Sequence, residues 1–228
     1  MVTLSRISSS VAAGSWWACW KTYVGRPEAD WARRMAMGIL GNGLFAVQDR
    51  RGDALPVQEA ELSMLRRLDA DQDCILVVQS TLAGTYQALG RGEDAMRVQK
   101  DVYSGRLRLD GEEHGRTLEA ANNYAHCLLC LQRFEETRSL LRKTMPAARR
   151  VFGESHEVTL KMKKIYADAL CLDAGATLDD NREAVTTLED VERTARRVFG
   201  GAHPFIAHIQ RGLRQARALL AAREAQRS

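Results

Sequence analysis

The sequence predicts an all-α fold, an α-solenoid of about four antiparallel helix pairs closed by a C-terminal capping helix. Ala, Leu, Arg and Glu dominate the chain, aromatic residues make up 6% and proline occurs four times, a composition that favours helix over strand. The chain also repeats itself at an interval of 42 residues, and each copy places apolar residues at helical spacing. With 45% apolar residues in 228, the chain has enough material for a sizeable core.

The repeat is clearest in "GEEHGRTLEAANNYAHCLL", which begins at Gly111. A forward shift of 42 residues superimposes identical residues: Gly111 on Gly153, His114 on His156, Thr117 on Thr159, Tyr124 on Tyr166 and Leu128 on Leu170. The third copy carries five extra residues within "LDAGATLDDNREA", so its closing "RRVFGGAH" follows the earlier "RRVFGESH" by 47 residues. The sequence therefore contains three clear copies of one supersecondary unit.

Each copy resolves into two helices, helix A followed by helix B. Helix A of the second copy has an apolar stripe at steps of three or four: Leu118, Ala121, Ala125, Leu128 and Leu131. Helix B of the third copy has the same pattern: Ala184, Leu188, Val191, Ala195 and Val198. After His203, residues 205–226 form a final single helix, whose polar back suits the end of a stacked array.

The links between copies, at residues 106–117, 149–160 and 196–207, are termed seams. We expect Gly153 and Gly200 to close helix B in a left-handed conformation, and Thr117 and Thr159 to N-cap the next helix A. Equivalent positions of stacked helices lie about 10 Å apart, so the seam histidines 114, 156 and 203 are expected to order the links and not to share a metal. Pro146 predicts a kink or an early break in the second helix B.

Over residues 71 to 205 this pattern resembles the 42-residue tetratricopeptide repeats of kinesin light chains. The features that carry the resemblance are a Leu-(x)3-Asn-Asn-aromatic-Ala helix at Leu118–Ala125, a long second helix, and a Gly-x-x-His-x-x-Thr-Leu link. The resemblance implies a right-handed α-solenoid in which helix A lines a concave groove that takes peptides. It implies that the following residues line the groove: Ser80, Thr81, Gly84, Gln87, Glu119, Asn122, Asn123, His126, Lys161, Lys164 and Asp168.

Within this family an asparagine of the Asn-Asn element commonly hydrogen-bonds the backbone of a bound peptide, which suits an amide that both donates and accepts. Asn122 and Asn123 match the element, whereas the other copies have Ser80-Thr81 and Lys164-Ile165 in its place. A complete asparagine ladder is absent, and both asparagines also fit as ordinary solvated surface residues. We expect Asn123→Ala and Lys164→Glu to weaken partner capture while changing stability by no more than about 1 kcal/mol.

The repeat register sets the predicted domain boundaries. Residues 1–28 fit no copy and are either flexible or docked through Trp16, Trp17 and Trp20, which also suit contacts with a partner. Residues 29–228 form the repeat domain: 29–70 a degenerate repeat, 71–112 and 113–155 repeats, 156–204 a repeat with an insertion, and 205–228 the capping helix.

No constellation of catalytic residues stands out in the sequence. It has no Ser/His/Asp arrangement, no persuasive pair of carboxylates and no metal-ligand spacing, and a single Cys127-x-x-Cys130 is weak support for zinc or redox chemistry. The five cysteines are expected to be reduced thiols. The sequence predicts a protein that is not an enzyme and takes no cofactor.

The charges are interleaved, with 33 basic and 29 acidic residues and a net charge of +4, so a nucleic-acid partner is not expected. The longest uncharged stretch, Ile7–Trp20, is too short to span a bilayer. The first residues make a poor secretory signal, which favours a cytoplasmic location and leaves organellar transit open. We predict a non-catalytic adaptor for a protein or peptide partner; the alternatives are a self-associating structural array and a nucleic-acid-binding repeat, and the oligomeric state stays open.

Overall fold

Ten α-helices account for most of residues 11–225, the part of the chain that the computed structural model describes. They are α1 (Val11–Tyr23), α2 (Trp31–Ala46), α3 (Arg51–Arg67), α4 (Gln72–Ala88), α5 (Gly92–Asp110), α6 (Gly115–Cys130), α7 (Phe134–Phe152), α8 (Glu157–Leu172), α9 (Leu178–Phe199) and α10 (Pro204–Ala225). Within this range no strand occurs, and none of these helices is long and apolar enough to cross a membrane. The all-α prediction is confirmed.

The chain divides into two compact units, residues 1–102 and residues 103–228, with the boundary inside α5. In unit 1, α1 packs on α2, α2 on α3 and α3 on α4. In unit 2, each helix from α6 to α10 packs on the next, and α6 also contacts α8 while α8 contacts α10. Contacts between helices one and two places apart are what stacked helix pairs produce, so the predicted repeat architecture is confirmed.

The predicted apolar stripes form the core of unit 2. Leu118, Ala121, Ala125 and Leu128 of α6 are buried, as are Ala184, Leu188, Val191 and Ala195 of α9. The α9 stripe ends at Ala195, because Val198 lies in the last turn of the helix and is exposed. The spacing in the sequence thus identifies the buried side of each helix.

The seam histidines cap the helices that follow them. Nδ1 of His114 accepts a hydrogen bond from the backbone N–H of Arg116 at 3.3 Å, and His156 does the same for Val158 at 3.2 Å. The His203 ring accepts from the N–H of Phe205 at 3.3 Å. Each imidazole therefore satisfies a helix N–H that has no partner within its helix, and the seam histidines order the links as predicted.

The prediction that Thr117 and Thr159 cap these helices is wrong. Helices α6 and α8 begin two residues before the threonines, which are buried within the first turn. The Thr117 hydroxyl donates to the carbonyl of Arg106 at 3.3 Å, and that of Thr159 to the carbonyl of Ala148 at 3.4 Å. The threonines instead fasten each helix A to the helix B before it, because histidine already occupies the cap position.

The seam glycines adopt a conformation that favours glycine, although not the predicted one. Gly153 has φ 89° and ψ 165°, and Gly200 has φ 79° and ψ 159°. The positive φ agrees with the prediction, but these ψ values lie far from the left-handed helical region. The chain therefore leaves helix B in an extended direction that a residue with a side chain rarely adopts.

Of the two outcomes predicted at Pro146, a kink or an early break, the break does not occur, because α7 continues through this residue to Phe152. Pro146 removes one helical hydrogen bond, at a cost of about 3 kcal/mol. Leu141, Ala147 and Ala148 are buried on either side of the proline. Burial of a leucine contributes about 1.5–3 kcal/mol, so the packed face offsets the loss.

The C-terminal helix holds the inserted turn of the third copy. Ile206, Ile209, Leu213 and Ala216 of α10 are buried in the core of unit 2. From the far end of the helix, the Arg223 guanidinium donates to the carbonyls of Asp173 at 3.3 Å and Ala174 at 3.4 Å, and also to that of Ala176. One side chain thus supplies donors to a turn that has few partners of its own.

The three N-terminal tryptophans belong to unit 1. Trp16, Trp17 and Trp20 pack against a buried cluster from α2 and α3: Leu40, Leu44, Ala54 and Val57. The Trp16 ring lies directly over Gly43, so closely that a Cβ at that position would overlap the ring. Gly43 therefore provides the space into which α1 docks.

We expect Gly43→Ala to lower the stability of the protein by about 1–3 kcal/mol, because the added methyl group forces Trp16 to move. The sign of this change in stability is informative, because Gly→Ala inside an unobstructed helix stabilises a protein by roughly 1 kcal/mol. Urea unfolding of the two proteins, followed by circular dichroism, measures the difference. Gly52→Ala, where an added Cβ meets nothing within 4 Å, is the matched control in α3. A more stable Gly43→Ala variant would rule out the close packing.

Candidate peptide-binding faces

The predicted groove residues of unit 2 form one surface on α6 and α8, termed the polar face. Its members are Glu119, Asn122, Asn123, His126, Lys161, Lys164 and Asp168. Helical spacing places each set on one side of its helix, and α6 packs directly on α8. Glu119, Asn123 and His126 are exposed, the other residues of the face except Asp168 are half-buried, and Asp168 is buried.

The asparagine pair presents an acceptor that lacks a donor. Nδ2 of Asn122 donates to Oδ1 of Asn123 at 3.3 Å. Oδ1 of Asn122 is shielded from solvent and accepts no hydrogen bond from the residues that the structure describes. A buried carbonyl oxygen without a donor costs about 1–3 kcal/mol, so an N–H group supplied by a ligand would be stabilised here.

His126 lies one helical turn beyond Asn122 and Asn123. The pKa of its imidazole is lowered, mainly by desolvation and further by the Lys164 ammonium, while the Asp168 carboxylate opposes the change. The ring is therefore neutral at pH 7 and offers one donor and one acceptor. Its nitrogens lie 3.9 Å from the Cys130 sulfur, on the same exposed side of α6.

Lys164 and Asp168 form an ion pair, with Nζ 2.5 Å from Oδ2. Asp168 is only 8% exposed, and burial raises the pKa of its carboxyl group, whereas Lys164 and His126 act in the opposite direction. Its other oxygen lies against Gly212 of α10, where a Cβ would approach to 3.1 Å. Lys164 therefore compensates a buried charge, and the expectation that Lys164→Glu leaves stability unchanged does not fit this arrangement.

Lys161 differs from Lys164 in its surroundings. Its ammonium lies 2.7 Å from the Glu157 carboxylate, and the two side chains are 43% and 47% exposed. Such a pair contributes at most about 1 kcal/mol. Lys161 is thus the cation of the polar face that a partner can recruit at low cost.

The predicted groove residues of unit 1 lie on α4, and polar groups of two of them are already hydrogen-bonded within the chain. The Thr81 hydroxyl donates to the carbonyl of Val77 at 3.1 Å, and the carbonyl of Ser80 accepts from Nε2 of Gln99 at 3.5 Å. The Gln87 side-chain oxygen is buried and accepts no hydrogen bond within the described residues. Among the predicted groove residues of unit 1, Gln87 thus carries an unpaired acceptor.

An exposed apolar surface in unit 1 escaped the sequence analysis. It consists of Trp31, Met35 and Ile39 at successive turns of α2 with Val77 of α4, and is termed the apolar face. These side chains are between 40% and 65% exposed. Val77 and Met35 precede Glu119 by one and two repeat lengths, so counting back along the repeat would have found them.

The Cys127-x-x-Cys130 pair does not converge on one site. Cys127 is buried, and burial raises the pKa of its thiol to about 11, whereas Cys130 is exposed. Among the described residues, no group of three or more metal-binding side chains comes together.

Comparisons with known proteins agree with the repeat analysis. A family model described as a tetratricopeptide repeat matches residues 117–157. None of the curated proteins searched is recognisably similar to the chain in sequence.

Solved structures are similar to the chain over most of its length. A putative kinesin light chain from Podosopora anserina with nearly identical TPR-like repeats has a TM-score of 0.66 at 19% identity, over 88% of this chain and 91% of that one. BtubC (BKLC) from P. vanneervenii has a TM-score of 0.65 at 15% identity, over 95% of this chain and 88% of that one. Residues 117–157 thus match a tetratricopeptide repeat, and the fold of the chain is similar to that of kinesin light chain-like repeat proteins.

Proposed function

We propose that the chain is a non-catalytic interaction module whose helix-A faces bind a peptide or an extended protein segment. The observation that carries the proposal is the polar face, where the unpaired oxygen of Asn122 lies beside exposed Asn123 and His126. An extended peptide presents a backbone N–H at regular intervals, and these are the donors that Asn122 lacks. The proposal assigns no catalytic step and no cofactor to the chain, and a cytoplasmic location stays a prediction.

The two faces suit different parts of a partner. The apolar face is removed from water only when a partner covers its four side chains, those of Trp31, Met35, Ile39 and Val77. Burial of apolar surface contributes about 25 cal/mol per Å², so these residues provide affinity for apolar side chains. The amides and the imidazole of the polar face instead recognise hydrogen-bonding groups of the partner. They therefore fix its orientation and provide specificity for it.

Selection from a phage library of random linear 12-residue peptides tests the proposal. We expect enriched peptides to lose at least about tenfold in affinity for the Asn122→Ala/Asn123→Ala double variant, because one lost hydrogen bond in a desolvated site costs about 1–3 kcal/mol. Arg193→Ala, which removes a 77% exposed side chain of α9, is the control and should bind as wild type does. Peptides that bind all three proteins equally would place the binding site elsewhere.

The alternative functions receive different support. The apolar face also suits a self-associating array, and sedimentation of the full chain with and without the selected peptides distinguishes the two functions. A stable dimer that the peptides dissociate favours self-association. The basic edge that a nucleic-acid partner needs has less support. Arg149, Arg150 and Arg196 at the seams each pair with a carboxylate, namely Glu154, Glu113 and Glu192.

A further inference from the structure

A cleft of about 410 Å³ opens in unit 2 between α7, α8 and α9. Its lining residues are Arg142, Met145, Pro146, Arg149, Lys163, Tyr166, Glu183, Thr186, Thr187 and Asp190. On α8 the cleft uses Lys163 and Tyr166, whereas the polar face uses Lys161, Lys164 and Asp168. The cleft therefore shares no residue with the proposed peptide-binding faces.

The cleft opens where α7, α8 and α9 carry different residues from those found one repeat earlier on α5, α6 and α7. In the repeat register the position of Tyr103 is taken by Met145, that of Ser104 by Pro146, that of Leu107 by Arg149, that of Ala121 by Lys163 and that of Leu140 by Thr187. One repeat earlier, the ring of Tyr103 on α5 stacks on Tyr124 of α6 with centroids 6.2 Å apart. Met145 and Thr187 leave the equivalent space open beside Tyr166 of α8, the counterpart of Tyr124.

Most charges of the cleft are already paired. The Lys163 ammonium lies 2.7 Å from the carboxylate of Glu154 and 3.3 Å from that of Asp190. Arg149 also pairs with Glu154, at 3.3 Å. The charges of these residues cancel one another, so this part of the cleft attracts neither an anion nor a cation on its own.

One cation and one anion of the cleft have no ion-pair partner in the described part of the chain. Nε of Arg142 donates only to the Tyr166 hydroxyl, at 3.4 Å. The Tyr166 hydroxyl is the main reason why the pKa of Arg142 is raised, and the nearby carboxylates of Glu135 and Glu183 add to the effect. Glu183 is exposed on the α9 wall, so a guanidinium and a carboxylate line opposite walls without pairing.

The α7 wall also carries apolar surface. Met145 and Pro146 line the cleft beside Arg142, and they supply a thioether side chain and a pyrrolidine ring. The α7 wall thus combines a guanidinium that has no ion-pair partner with an apolar strip.

We propose that this cleft binds a small zwitterion, with its carboxylate on the Arg142 guanidinium, its ammonium on the Glu183 carboxylate and its aliphatic part on Met145 and Pro146. A ligand of a single charge leaves one of the two side chains unpaired, because the lining carries both signs. Charge-assisted hydrogen bonds at both ends favour the ligand that carries both charges.

Calorimetric titration of the full chain with three ligands of equal length tests this proposal: 6-aminohexanoate, hexanoate and hexylamine. We expect 6-aminohexanoate to bind at least about tenfold more tightly than either singly charged ligand. Equal affinities for the three ligands, or no binding of 6-aminohexanoate, would overturn the proposal.

Two kinds of variant assign the binding to the cleft. Arg142→Gln should remove the preference for 6-aminohexanoate over hexylamine, and Glu183→Gln its preference over hexanoate, whereas Lys100→Gln, at the position equivalent to Arg142 in the preceding copy, should bind as wild type does. Met145→Tyr/Thr187→Leu introduces the residues found one repeat earlier, at Tyr103 and Leu140, and should abolish binding while the protein stays folded. Unchanged binding by this double variant would also contradict the proposal, and circular dichroism verifies its fold.

Discussion

Lys164→Glu is expected to destabilise the protein by roughly 3–5 kcal/mol at pH 7, since it leaves the buried charge of Asp168 uncompensated and adds a second carboxylate beside it. In the wild type the Lys164 ammonium lies 2.5 Å from that carboxylate, which is only 8% exposed. Urea unfolding at pH 7 measures the loss. The loss should shrink toward pH 4, because two neighbouring carboxylates in a desolvated site take up a proton more readily than in the unfolded chain.

Lys161→Glu, one turn earlier on α8, is the matched control. Its partner Glu157 is exposed, so the same change of charge should alter stability by no more than about 1 kcal/mol. Equal losses in the two variants would mean that the position of Asp168 against Gly212 has no special role. The result also decides how the polar face is tested, because a lysine that holds the fold is unsuitable as a binding variant.

Glu61→Gln is expected to stabilise the protein by about 2–3 kcal/mol at pH 8 and to have little effect at pH 4. Burial raises the pKa of the Glu61 carboxyl group from 4.5 to about 7. Oε1 packs against Gly38 of α2, 3.0 Å from where a Cβ would lie, and the carboxyl group has no hydrogen bond or ion pair among the described residues. The pKa of the Glu61 carboxyl group is thus higher in the folded than in the unfolded protein. Below pH 4.5 the group is protonated in both states and costs no stability, whereas stability is lost as the pH rises from 4.5 through about 7.

Thermal unfolding of the wild type and the variant from pH 4 to pH 8 measures this difference. Asp101→Asn removes an exposed carboxylate of α5 and should leave the pH dependence of stability unchanged. If Glu61→Gln follows the wild-type curve at every pH, the carboxyl group is solvated in the folded protein and its pKa is ordinary.

The repeat register predicted the parts of this fold that depend on periodic burial. Leu118, Ala121 and Leu128 are buried because helical spacing puts them on one side of α6, and that spacing is visible in the sequence. The same register placed Glu119, Asn123 and His126 on the opposite, exposed side. Periodicity thus predicts which side of a helix faces water.

Features that depend on contacts between helices were not predictable in this way. Thr117 has the residue type of a cap, but the decisive fact is that the Arg106 carbonyl of the preceding helix lies within reach of its hydroxyl. The spacing of Lys164 and Asp168 suggests an exposed pair on one helix, and only the packing of α10 with Gly212 buries it. The apolar face was missed for another reason, since exposed apolar residues resemble core residues in the sequence.

The seams also bear on how such a chain changes length in evolution. Every contact that defines a seam links residues close in sequence: His156 caps α8 and stacks on Phe152, and Thr159 bonds the carbonyl of Ala148, 11 residues earlier. A duplicated or deleted block of 42 residues therefore includes a complete seam and requires no matching substitution elsewhere. Residues between two seams, such as Met145 on α7 or Thr187 on α9, can then differ from their counterparts one repeat earlier while the seams on either side stay intact.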